Sequence, residues 1–190
     1  MHRMTRVAVS AALLTVLAAC GERHPDAEAT PTAAGVAPPA TAAQEAAPEA
    51  APVELLPAGG AAEAFPLVAG SYASGRIVLK DATPIKGALV QIGNYNGTTD
   101  GELVVEVCKQ QDCTKGSKPL TGSVDNEYIE VTLAAPLEVA AQEAITYRIS
   151  KMGGSVPVAL WLYPVAGELS AIRINDGEEV QSTPKIALRR

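Results

Sequence analysis

From about residue 71 onward, apolar and polar residues alternate with period two. That is the signature of strands with one buried face. In "GRIVLK", Ile77 and Leu79 face one way and Arg76 and Lys80 the other. "GELVVEV" sets Leu103, Val105 and Val107 against Glu102 and Glu106. "YIEVTL" turns Ile129, Val131 and Leu133 inward. "ITYRIS" turns in Ile145, Tyr147 and Ile149 against Thr146, Arg148 and Ser150. Further strand candidates are "IKGALVQIG", "VPVALWLYP", "LSAIRIN" and "PKIALR", separated by the turn formers "NYNGTTDG", "TKGSKP", "SVDN", "KMGG" and "NDGEE". Short strands at roughly ten-residue spacing with no helical period predict an all-β sandwich. The pattern alone leaves open whether it is immunoglobulin-like or a jelly roll.

The chain before this region has no such alternation. Residues 1–20, "MHRMTRVAVSAALLTVLAAC", place Arg3 and Arg6 ahead of an uncharged apolar run from Val7 to Ala19. That is the layout of a secretory signal peptide, and the run is shorter than the roughly 20 residues a spanning helix needs. From Gly21 to Ala64 more than half of the residues are Ala or Pro and none is aromatic. Such a stretch cannot bury a core and reads as a disordered tether, with Pro48 and Pro52 interrupting any long helix. The expected organisation is a signal peptide at 1–19, a linker at 20–64 and one β-sandwich domain at 65–190.

The apolar run ends in Leu17-Ala18-Ala19-Cys20. This resembles the lipobox of bacterial lipoproteins: a branched apolar residue, two small residues, then the cysteine. The resemblance implies cleavage before Cys20 and acylation of its thiol. Several acyl chains, each contributing about 0.8 kcal/mol per buried methylene, together make the attachment effectively permanent. The residue after the cysteine is Gly21 and not the Asp that resembles an inner-membrane retention signal in enteric bacteria, which implies an outer-membrane destination. With Cys20 assigned to lipid, Cys108 and Cys113 are the remaining thiols of the chain's three. In an oxidising compartment they are expected to form a disulfide. A zinc site would need more ligands, and the histidines are His2 in the signal and His24 near the anchor. The thioredoxin type of redox pair uses a shorter spacer.

The formal net charge is −6 and becomes more negative when Arg3 and Arg6 leave with the signal, so nucleic acid is a poor partner. The basic end "LRR" reads as a solvated tail. Without a histidine between residues 65 and 190, Ser-His-Asp and Cys-His catalysis are excluded. Paired carboxylates for glycoside hydrolysis would have to come from Asp100, Asp125 or Glu127, with one pKa raised. Asp125 and Asn126 in "SVDNEY" are either weak calcium ligands or an Asx turn opening the next strand. Trp161 and Tyr163 fall on one strand face, opposite Val158, Leu160 and Leu162. They form either an outward platform for a sugar ring or part of the core.

The succession "DGELVVEVC", "SVDNEYIEVTLAAPLEV", "ITYRIS" and "VPVALWLYP" resembles the galactose-binding-like jelly-roll domains of bacterial envelope and polysaccharide-handling proteins. Those domains share a Gly-x-Leu strand, an Asp-Asn pair opening the next strand, a Pro-containing bend, a Tyr strand and a Trp near the end. The likeness spans roughly Ser71 to Tyr163 and implies a jelly-roll sandwich. One Trp and one Phe in the whole chain depart from sugar-binding members. The expected protein is a non-catalytic outer-membrane lipoprotein without a cofactor. Its sandwich binds a glycan or an envelope protein, serves as a structural subunit of an envelope assembly, or, least expected, is a small hydrolase.

Overall fold

A computed structural model describes residues 51–55, 60–165 and 169–190. The signal peptide, Cys20, His24 and most of the Ala- and Pro-rich stretch lie outside the described residues. Among the described residues there are thirteen strands and no helix. They are β1 (Val53–Leu55), β2 (Glu63–Leu67), β3 (Tyr72–Val78), β4 (Thr83–Gly93), β5 (Glu102–Lys109), β6 (Asp112–Pro119) and β7 (Tyr128–Val139). Then follow β8 (Ala144–Met152), β9 (Val158–Pro164), β10 (Ile172–Ile174), β11 (Glu179–Val180), β12 (Ser182–Pro184) and β13 (Ile186–Arg189).

Two sheets pack face to face as a β-sandwich. One has the order β11-β10-β3-β8-β5-β6. The other is built around β4, which pairs β7 along one side and, along the other, β13 and then β9. β13 carries β1 on its far side, β9 carries β2, and β12 pairs the last residues of β9. All strand pairs are antiparallel, and the inward sets of β3, β5, β7 and β8 are those the alternation predicts. Ile77, Val105, Val131 and Ile149 are fully buried. Each such side chain contributes about 1.5–3 kcal/mol on burial.

Tyr147 shows how closely the core is fitted. Its ring crosses over Gly75 of the neighbouring β3, where any β-carbon would collide with the ring. Burial pushes its pKa up to about 12, and its hydroxyl lies 3.5 Å from Thr183 Oγ1 of the opposite sheet.

Several local expectations are corrected. "TKGSKP", expected as a turn, is most of β6, because its mates across the hairpin pair with it from Glu102 to Lys109. The strand escapes the alternation rule because it leans on backbone, not on a side-chain core: Thr114 Oγ1 donates to Ala135 O (2.9 Å) and accepts from Ala135 N–H (3.3 Å) on β7. Its Lys115, Lys118 and Pro119 are what an edge strand needs to avoid pairing with other molecules. The tether expected through residue 64 yields β1 and the start of β2, since both find an open strand edge, on β13 and β9. "PKIALR" is divided at Lys185, where the chain passes from pairing β9 to pairing β4. The end "LRR" is no loose tail: Leu188 is buried and Arg189 Nε donates to Glu130 Oε1 at 2.8 Å.

Cys108 and Cys113 are joined by a disulfide, directly opposite each other across the β5–β6 hairpin with Cα atoms 4.0 Å apart.

Candidate functional site

The registers fix the two ends of the sandwich. Val53 pairs Leu188, which faces Ala88, while Leu55 pairs Ile186, which faces Val90. The chain therefore enters β1 toward the Thr83 end of β4. The loops 68–71, 94–101, 120–127 and 153–157 gather at the opposite end, beyond Gly93. From Ala88 to Gly93 an antiparallel strand rises about 17 Å.

These loops are tied to one another by polar groups, Asn94 and Thr99 buried and Asp100 partly exposed. Asn94, 1% exposed, donates its side-chain amide to the Ser123 carbonyl and accepts from Gly97 N–H (3.0 Å) at Oδ1. Thr99 donates to Pro157 O at 3.0 Å, and Leu120 N–H to Gly101 O at 2.9 Å. The Asp100 carboxylate accepts from Ser155 N–H (2.9 Å) and Val156 N–H (2.8 Å). Those two backbone bonds, with the Lys151 charge beside them, hold its carboxyl below the usual aspartate value. The fit is tight: β-carbons at Gly101 and Gly154 would each meet the facing loop at 2.5 Å.

Lys151 was not singled out in the sequence, although the signal is there. It continues the inward series Ile145, Tyr147, Ile149 by two residues, and its side chain is 0% exposed. Its ammonium donates to Gly153 O at 2.5 Å and stands 3.7 Å from Asp100 Oδ1.

On this tied frame sit four of the five large exposed apolar side chains of the described residues: Val68, Tyr95, Val124 and Met152, 45–58% exposed. In sequence they are apolar residues lodged among turn formers, as Tyr95 is between Asn94 and Asn96. Tyr95 and Asn96 have positive φ, 51° and 60°, which turns the loop tip outward.

The other candidates are placed as follows. Asp125 Oδ1 accepts from Asn94 N–H at 2.6 Å and its Oδ2 from Asn126 Nδ2 at 3.1 Å. Asn126, with φ 63°, makes the turn into β7, its N–H donating to Ile92 O at 2.9 Å. Among the described residues no three His, Cys, Asp or Glu side chains come together as metal ligands. Glu127 is exposed at the mouth of β7. Trp161 and Tyr163 do share the outward face of β9, opposite buried Val158, Leu160 and Leu162, yet both are half-buried. The indole covers Gly93, where a β-carbon would approach Cζ2 to 3.1 Å, and its buried Nε1 has no acceptor. Tyr163 donates to Gln91 Oε1 at 3.0 Å.

No protein-family model matches the chain, and neither a curated protein nor a solved structure matches it.

Proposed function

We propose that the chain is a lipid-anchored protein of the outer membrane whose sandwich is a non-catalytic binding module, offering its loop end to a protein partner of the cell envelope. The observation that carries this reading is the opposition of the two ends. The chain comes in at the Thr83 end, and the cross-tied loops bearing Val68, Tyr95, Val124 and Met152 lie at the other. If Cys20 is acylated, the tether holds that surface away from the membrane. Loops fixed by hydrogen bonds to one another lose little freedom on binding, and exposed apolar tips supply the area to be covered.

A hydrolase fits less well. A catalytic acid must keep its proton near neutral pH, whereas the bonds to Asp100 favour its ionised form.

Glycan stacking on Trp161 and Tyr163 is the second reading, favoured by the outward face they share with Tyr128 and Gln91, which pair across β7 and β4. The cover the indole gives Gly93 leaves only part of the ring for a sugar. Glycan affinity lost in Trp161→Ala at unchanged melting temperature would select this reading.

The main reading is tested in cells with the full chain, carrying a photo-crosslinking residue at Tyr95 or Val124, or at Asp81 near the opposite end. A discrete adduct from the first two positions and none from Asp81 supports it. Equal adducts everywhere, or none, refute it. Cys20→Ser should abolish incorporation of a fatty-acid analogue, and unchanged label would end the lipid-anchor reading.

A further inference from the structure

The outward face of the sheet β11-β10-β3-β8-β5-β6 carries a registered row of side chains. Glu179 stands opposite Arg173, Arg173 opposite Ser74, Ser74 opposite Arg148, and Arg148 opposite Glu106. One outward step along β3 and β8, Arg76 stands opposite Thr146. The three arginines are exposed and line one open groove of about 450 Å³, together with Ser74, Thr146 and Ser170. Among the described residues none of the three guanidiniums is in an ion pair. The Arg148 guanidinium is held over the Tyr72 ring, 4.3 Å from its centroid. Ser170 Oγ accepts from Arg76 N–H (2.9 Å) and donates to Arg76 O (2.8 Å), fixing the backbone beneath that side chain. In a chain of net charge −6, this face reverses the local sign.

We propose that the groove binds an acidic saccharide, a chain of sugar units bearing carboxylates. Guanidinium groups take carboxylates in paired hydrogen bonds. Arg173 and Arg148 lie two strands apart, about 10 Å, so successive acidic units can each meet one. The Ser74 hydroxyl lies between them and the exposed Thr146 hydroxyl stands opposite Arg76, both suited to the hydroxyl groups of a sugar ring. The groove's volume falls within the roughly 300–1,000 Å³ of ordinary ligand sites.

A peptide is less well served here. Extended peptides gain affinity by pairing their backbone with a strand edge, and on this face the backbone groups are used within the sheet. A saccharide brings its own donors and acceptors. Single-stranded nucleic acid would want free aromatic faces, and the Tyr72 ring is taken by Arg148. Glu179 closes the row at one end and repels acidic groups placed beyond Arg173. At the other, Glu106 stands between Arg148 and Lys115 of β6, so an acidic group is favoured at the arginine and not at Glu106.

The test is calorimetric titration of the whole purified chain with oligogalacturonate and with oligomannuronate. A neutral maltooligosaccharide of equal length and poly-glutamate serve as comparisons. Binding of an acidic saccharide that falls with added salt and weakens about tenfold for each guanidinium removed in Arg148→Gln, Arg173→Gln and Arg76→Gln is the expected result. These side chains are exposed, so the melting temperature of each variant should match the parent and certify its fold. Poly-glutamate binding as tightly as the saccharides would overturn the proposal in favour of an acidic peptide. Absence of binding to either acidic saccharide, or binding unchanged in all three variants, would also overturn it.

Discussion

Gly116 of β6 lies against Thr132 of β7 so closely that any β-carbon at position 116 would collide with the Thr132 carbonyl oxygen. The two strands belong to different sheets, so this contact closes one side of the sandwich. The obstacle is backbone, which cannot rotate away as a side chain would. Gly116→Ala should therefore force the strands apart and cost about 1–3 kcal/mol, the usual range for overpacking. Thr114→Ala, which removes the hydroxyl bonds to Ala135, should cost about 1 kcal/mol. Urea denaturation of both variants checks this, and an unchanged Gly116→Ala midpoint would show that the side is not closed.

Asp100 makes the loop end sensitive to acid. Its folded pKa is lowered, so the stability it contributes is present above the ordinary aspartate pKa of 3.8 and is lost as pH falls through the lower folded value. Amide exchange at Ser155 and Val156 should accelerate over that acidic window while exchange in the core strands does not. Asp100→Ala should show the fast exchange already at neutral pH. Identical exchange in parent and variant would mean that the carboxylate does not hold the loop.

Tyr147 sets a limit at the alkaline end. Its folded pKa, about 12, stands above the ordinary 10.0, so its contribution is complete below pH 10 and disappears as pH rises to 12. Two pKa units correspond to about 3 kcal/mol. Tyr147→Phe should remove this loss of stability between pH 10 and 12. At neutral pH it should cost no more than about 1 kcal/mol, because the bond to Thr183 is long. Thermal melts across that range give the comparison; the same alkaline loss in the phenylalanine variant would assign it elsewhere.

The Cys108–Cys113 bond closes a very short loop, so little chain entropy is at stake. Reduction, or Cys108→Ser with Cys113→Ser, should cost about 2 kcal/mol and leave the sandwich folded. Unfolding on reduction in the absence of denaturant would show that the hairpin carries more of the fold than its position suggests.

The strands that bury side chains against side chains were legible in the sequence. Leu103, Val105 and Val107, or Ile145, Tyr147 and Ile149, alternate strictly because each has a polar neighbour facing water. β6 was not legible, since its contacts are a hydroxyl and a missing β-carbon against the backbone of β7. β1 was hidden by its surroundings: three residues in an Ala- and Pro-rich stretch become a strand only because β13 offers an edge. The loop end was illegible for a related reason. Asp100 meets Ser155 across 55 positions of sequence, and nothing local to "TTDG" announces that its carboxylate is committed. The disulfide followed from the count of thiols and the expected compartment. The arginine row emerges only from register, since Arg76, Arg148 and Arg173 come from three strands that no local pattern relates.

The way β1 is attached has a mechanical consequence. β1 runs parallel to the axis of the sandwich, and the chain leaves it at Val53, away from the loop end. A pull on the residues before Val53, directed along that axis, loads the β1–β13 hydrogen bonds in shear instead of peeling them one at a time. The three registered pairs, Val53–Leu188, Glu54–Ala187 and Leu55–Ile186, then have to break together. The strand acts as a clasp that passes axial tension into β13, and through it into β4, as shear. A sideways pull would unzip the same three pairs in sequence at lower force.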